Sequence, residues 1–176
     1  MKFHQTTLKD AMIIDLERRG DDRGFFARTF CVDEFAALGL PTEFVQQNTS
    51  YSANKGTLRG MHFQSAPYGE DKLIRCLRGA IVDIIIDLRP DSPTFRKWEA
   101  FELNDENKRQ LLVPKGFGHG FQTVSDHVEV TYLVTAKYTP SAESGVRWND
   151  PAFGIKWPLE PTDMSDKDRN WPDFAS

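Results

Sequence analysis

The sequence predicts an all-β fold, an antiparallel sandwich or barrel with a few short helices. Three observations carry that expectation. Turn-bounded segments of alternating apolar and polar residues recur from about residue 57 to residue 137. Aromatic residues are abundant, with 13 Phe, 4 Trp and 4 Tyr, and they suit strands and stacking surfaces better than helical bundles. Only one stretch carries a clear helical signature.

That stretch is VDEFAALGL, residues 32–40, where Phe35 and Leu38 lie three apart and Gly39 stops the helix. Further along, AIVDIIIDLR (80–89) sets Val82, Ile84, Ile86 and Leu88 on one face of a strand and Asp83 and Asp87 on the other, an imperfect period of two. HVEVTYLVTAKY (127–138) alternates more cleanly. Val128, Val130, Tyr132 and Val134 share one face, and Glu129, Thr131 and Thr135 take the other. From Pro151 onward the chain is rich in Pro and Trp, and irregular structure is expected there. No repeat, low-complexity tract or Gly/Ser linker interrupts the 176 residues. They are therefore read as one domain, 1–176, long enough to bury a real core.

Composition narrows the function classes. Charged residues make up 27% of the chain, the net charge is −4 and no block of like charges occurs, so a nucleic-acid partner is not expected. The opening MKFHQTTLKD lacks the apolar centre of a signal peptide, and AIVDIIIDL is too short and too acidic to span a bilayer. No membrane partner is expected. Two cysteines, Cys31 and Cys76, give no disulfide framework and fit a reducing, cytoplasmic setting.

One motif raises the question of a metal. VPKGFGHGFQ (113–122) reads as the second half of a cupin-type metal site. Such a site needs three or four His, Asp or Glu ligands converging on one ion. The first half should bring two histidines one residue apart and a carboxylate soon after. The best match, TLRGMHFQ (57–64), offers only His62, followed by Phe63 and Gln64. The four histidines of the chain are His4, His62, His119 and His127, so the ligand set falls short and no metal cofactor is expected.

Other residues carry two readings each. Strict alternation sends Arg59 and His62 to opposite faces, unless Gly60 marks a bulge that brings both to one cavity. A lone strand histidine is more often structural than catalytic, and an Arg at a strand start is more often solvated. Lys72 shares parity with Ile74 and Cys76, so it either snorkels to the rim or meets an anionic species inside. Tyr132, taken alone, is a core tyrosine whose hydroxyl finds a partner. Tyr138 is a rim aromatic or a stacking platform for a base. Ser165 and Asp168 in MSDKDRNWP have capping-box spacing, which leaves Asp168 as a helix cap or as the carboxylate that fixes a histidine tautomer. Arg23, in GDDRGFF, reads as a turn residue.

Taken together, DDRGFF, FVQQNTSYS, LRGMHFQ, DKLIRCLRGAIVDIIIDLR, PKGFGHGF, YTPSAESGVRWNDPAFGIKWP and SDKD resemble the dTDP-4-dehydrorhamnose 3,5-epimerases, from about residue 3 to residue 168. The resemblance implies a cupin-type jelly roll or β-barrel without a metal or other cofactor, assembled as a homodimer. It implies epimerisation of C3 and C5 of a 4-keto-6-deoxy sugar nucleotide. It also assigns roles: His62 as the base, Asp168 as its partner, Lys72 facing the enolate and Tyr132 as the proton donor. Arg23, Gln46, Gln47, Asn48, Arg59, His119, Glu143 and Lys167 would bind substrate, and Tyr138 would stack on the base. The rivals are an epimerase that inverts a single centre or uses another nucleotide, a non-catalytic sugar-binding cupin, and a metal-dependent cupin oxygenase.

One position departs from the family pattern R-G-F-F-x-E-x-F, because RGFFARTF places Arg28 where a Glu is usual. A Glu offers only acceptors, whereas an Arg offers donors and a fixed positive charge. If Arg28 faces the nucleotide, that contact is inverted. Otherwise it turns to solvent or pairs with Asp21 or Asp22.

Overall fold

The computed structural model describes residues 1–174. In chain order the strands are β1 (Lys2–Gln5), β2 (Met12–Asp15), β3 (Arg19–Asp21), β4 (Gly24–Phe26), β5 (Gln46–Ser52), β6 (Leu58–Gln64), β7 (Lys72–Arg78), β8 (Ala80–Asp87), β9 (Trp98–Asn104), β10 (Gln110–Val113), β11 (Phe117–Thr123), β12 (Val128–Val134) and β13 (Glu143–Gly145). Two short α-helices, α1 (Val32–Ala36) and α2 (Asp166–Arg169), and a 3-10 turn at Pro140–Ala142 accompany them among the described residues. One sheet has the order β1-β2-β10-β7-β12-β5, a second has β13-β6-β11-β8-β9, and β3 and β4 form a separate hairpin. The pairings within these sheets are antiparallel. The expected all-β class is observed.

Strands also occupy the N-terminal third, where alternation had pointed to none. β1 and β2 are four residues each, and β3 and β4 three each. β5, sequence QQNTSYS, has no apolar face to read. The helix ends earlier than the 32–40 stretch suggested. After Ala36, Gly39 adopts φ 68° and donates to Ala36 O while Leu40 donates to Phe35 O, a Schellman ending. Phe35 is buried but Leu38 is exposed, because the chain has left the helix before Leu38 can return to its face.

The core lies between the two sheets. Ile74 and Cys76 of β7, Val128 and Val130 of β12, Ile81 and Ile85 of β8, and Phe117 and Phe121 of β11 meet there. The alternate residues of β8, Ile84 and Ile86, face outward and are covered by the C-terminal segment through Val146, Phe153 and Trp157. On the other side, α1 lays Phe35 over Ile14, Leu73 and Leu112. β8 is thus apolar on both faces, which explains its imperfect period. Its Asp83 points inward, fully buried.

One irregularity sets the site. β11 pairs with β6 through His119↔His62 and Phe121↔Arg59, so two steps on β11 match three on β6. The extra residue is a bulge at Gly60–Met61, and it places both Arg59 and His62 on the inner face. Glycine is needed on both strands. A Cβ on Gly60 would lie 2.5 Å from Gly120 Cα, and one on Gly120 would lie 2.8 Å from Arg59 O.

Candidate active site

The inner faces of the two sheets converge on a cluster of polar side chains. From the five-stranded sheet, His62 Nε2 lies 2.6 Å from Asp168 Oδ1. Asp168 comes from α2, whose N-terminus is capped by Ser165 Oγ accepting from Asp168 N at 3.1 Å. The backbone of Asp168 is therefore the capped group, while its side chain leaves the helix to reach His62 and the Gly60 N–H. Burial pushes the Asp168 carboxyl up, but the His62 contact and the Gly60 and Ser165 bonds outweigh it and hold it below the usual carboxylate range. A carboxylate accepts only, so Nε2 is the nitrogen that donates to Asp168, and in the neutral imidazole the lone pair is then on Nδ1. The Trp171 ring stands edge-on 6.2 Å from the imidazole.

The facing sheet contributes Lys72 at the start of β7 and Tyr132 on β12. Lys72 Nζ is 3.4 Å from Glu70 Oε1, both side chains nearly buried. Burial lowers Lys72, opposed by the charges of Glu70 and Asp83. Tyr132 is pushed up by burial and by the Glu70 charge, which favours the protonated phenol. Beside His62 in register, His119 Nε2 lies 2.9 Å from Asp83 Oδ2. Burial pushes Asp83 up, with His119 and Lys72 opposing.

The rim holds a second chain of contacts. Tyr138 Oη donates to Glu143 Oε2 at 2.9 Å, and Glu143 is ion-paired with Lys167. Lys167 also lies over the Trp171 ring. Gln46 Oε1 accepts from Tyr138 N at 2.7 Å. Arg59 Nε donates to Ser52 Oγ at 3.1 Å and its Nη2 to Tyr51 O at 3.0 Å.

The structure thus brings together His62, Asp168, Lys72, Tyr132, His119, Arg59, Gln46, Asn48, Tyr138, Glu143 and Lys167, and it leaves three candidates outside. Gln47 alternates to the outer face, opposite Leu133, and donates to Thr131 Oγ1. Arg23 sits on the β3–β4 hairpin with its side chain 90% exposed, ion-paired with Asp21. Arg28 pairs with Glu34 at 3.0 Å, not with Asp21 or Asp22, because the chain turns into α1 and carries Glu34 beneath it.

Four inner residues escaped the sequence reading: Asp83, Glu70, Gln64 and Trp171. Asp83 left a signal, an acid inside an apolar run. A groove of about 1190 Å³ opens elsewhere, between the β1–β2 loop, the turn after α1, and Asp71 and Lys115. Its lining contains no His or Tyr, so it lies apart from this chemistry. Among the described residues no group of three or more His, Cys, Asp or Glu could hold a metal ion. His62 and His119 are each committed to a carboxylate instead.

A sequence profile of the dTDP-4-dehydrorhamnose 3,5-epimerases matches residues 5–176. The chain belongs to the dTDP-4-dehydrorhamnose 3,5-epimerase family. The dTDP-4-dehydrorhamnose 3,5-epimerase of Methanothermobacter thermautotrophicus is 46% identical over 174 residues, spanning 97% of this chain and 92% of its own. The crystal structure of the Bacillus anthracis dTDP-4-dehydrorhamnose 3,5-epimerase, with TDP and PPi bound, superposes with a TM-score of 0.95 at 47% identity, covering 98% of this chain and 99% of that one. A dTDP-4-dehydrorhamnose 3-epimerase of Streptomyces niveus is 37% identical over 97% of this chain and 82% of its own. The cupin-type jelly roll expected for a 3,5-epimerase is the fold observed.

Proposed function

We propose that this chain inverts C3 and C5 of dTDP-4-dehydro-6-deoxyglucose, giving dTDP-4-dehydrorhamnose through an enolate. One observation carries the reading: the His62–Asp168 pair and the Tyr132 hydroxyl project from opposing sheets into one interior. Epimerisation next to a ketone requires a proton to leave one face of the ring carbon and another to arrive on the opposite face. A base and an acid on facing walls answer that need.

In this mechanism His62 Nδ1 takes the C–H proton, and the C–H electron pair moves into the ring as the C4 oxygen becomes an enolate. Asp168 orients the imidazole and stabilises the imidazolium that forms. The Lys72 ammonium interacts more strongly with the enolate oxygen than with the ketone, so its contribution falls on the transition state. Tyr132 gives its proton to the opposite face of the carbon, and the ketone returns. The residues that would bind substrate are Arg59, His119, Gln46, Asn48, Glu143 and Lys167, with Tyr138 stacking on the base. No metal or redox cofactor takes part. We assign the enzyme to the cytoplasm, in keeping with its unpaired Cys31 and Cys76.

We further infer a homodimer. Among the described residues the β3–β4 hairpin pairs with no other strand, and it exposes Phe25 and Phe26, at 47% and 72%. Arg23 and Arg28, away from the cleft of their own chain, would reach substrate across such an interface, and Gln47 would act from the outer face by supporting β5.

Incubation with dTDP-4-keto-6-deoxyglucose in heavy water, with and without EDTA, tests the reading. Deuterium should enter both C3 and C5 at the same rate in either sample. Label at C3 alone would make the protein a 3-epimerase, like the Streptomyces niveus relative. Loss of exchange on chelation would sink the metal-free mechanism.

A further inference from the structure

We propose that Glu70 is a positioning residue for the reaction: it aims the Lys72 ammonium into the cleft and balances its charge. The inference rests on the epimerase reading, in which Lys72 meets the enolate.

Lys72 has a side chain 11% exposed, and its ion-pair partner among the described residues is Glu70, 12% exposed, at 3.4 Å. An ammonium in such surroundings is short of hydration, and burial favours its neutral form. A neutral amine would stabilise an enolate poorly. The charged and titratable groups around Lys72 come from five elements. Glu70 precedes it on its own segment, Asp83 faces it from β8, and His119 of β11 is bonded to Asp83. Tyr132 on β12 lies within the fields of Glu70 and of Arg59 from β6. Asp71, next in sequence, is engaged elsewhere, accepting from Thr135 Oγ1 and Lys115 N. Asp83 is divided between His119 and Lys72 and is itself driven toward its neutral form by burial. Glu70 is therefore the carboxylate that directly pairs with the lysine.

Its geometry is built, not incidental. Glu70 Oε2 accepts from Gln64 Nε2 at 3.1 Å. Gln64 is buried, its two N–H groups are shared among Glu70, Tyr68 O and Lys137 O, and its Oε1 accepts from Thr139 N at 2.7 Å. One amide thus clamps the Glu70 carboxylate to the segment that carries Tyr138. Held this way, the carboxylate keeps one face for Lys72 and cannot swing to solvent as a surface partner would.

Glu70→Gln keeps the size and the acceptor for Gln64 but removes the charge. Carbon-13 NMR of labelled lysine side chains, with Lys72 assigned by its loss in Lys72→Met, reads the effect without substrate. Lys72 should titrate at lower pH in Glu70→Gln than in wild type. Turnover should decline progressively above neutrality, roughly five- to tenfold at about pH 9, with KM changing less than kcat. An unchanged Lys72 titration, or a loss equal at every pH, would overturn the proposal. If Glu70→Gln does not fold, Glu70→Asp, with its shorter reach, decides by the same titration. A shifted Lys72 in a protein whose wild type exchanges neither C3 nor C5 would instead overturn the epimerase reading and leave the coupling standing.

Discussion

His62 and Asp168 stand 106 positions apart and meet at 2.6 Å. No spacing rule links them, so the family resemblance was needed to name the pair, while the Ser165–Asp168 spacing left a helix cap and a tautomer-fixing carboxylate both open. In the structure the Asp168 backbone N–H is the group that Ser165 caps, and its side chain is left to meet His62. With His62 as the base, His62→Ala should lower kcat by roughly 10³-fold while leaving nucleotide affinity nearly intact. Asp168→Asn should cost roughly 10²- to 10⁴-fold, since an amide no longer holds the imidazole in one tautomer. Tyr132→Phe should permit deuterium exchange with little net inversion, which NMR of the recovered sugar would reveal. The depressed Asp168 carboxyl gives a further expectation. It contributes stability above the ordinary carboxylate range, and that contribution is lost as pH falls through its folded value. Denaturant melts of wild type should therefore weaken more steeply below about pH 4 than those of Asp168→Asn.

At the scale of elements, legibility followed pattern. β12 was plain because one face is apolar, and β8 was visible but blurred because both faces are covered. β5 was invisible for a physical reason. Its inward residues, Gln46 and Asn48, line a polar interior, so alternation of hydrophobicity cannot mark it. The bulge at Gly60 was legible as a possibility, since glycine inside a strand signals a register change, but the second glycine it packs against was not. Gly120→Ala tests their contact. The new methyl would meet Met61 Sδ, which can move, and Arg59 O, which cannot without parting β6 from β11. We expect a loss of about 1–3 kcal/mol in denaturant melts. We also expect kcat to fall further than KM rises, because His62 shifts with its strand.

The whole molecule has unpaired business at the β3–β4 hairpin. Light scattering should give a dimer of the 20.1 kDa chain, and Phe26→Ser should shift it toward monomer. If Arg23 reaches the partner's cleft, mixing inactive His62→Ala with Arg23→Ala should restore turnover above either alone. Each mixed dimer would then contain one site with both residues intact. No rescue would mean that Arg23 serves its own chain or none.

The strand order carries one more consequence. Of the ten strand pairings among the described residues, only β1–β2, β3–β4 and β8–β9 join strands that follow one another in the chain. The others close long loops before any contact rewards them, so the search for the native topology is slow. Refolding from denaturant should take on the order of seconds rather than milliseconds. Turnover should return with the slowest phase, since the dyad exists only once β6 has found β11 and the C-terminal segment has settled over both. During that interval β8, apolar on both faces, is a strand in search of neighbours, and the yield of active enzyme should fall as protein concentration rises.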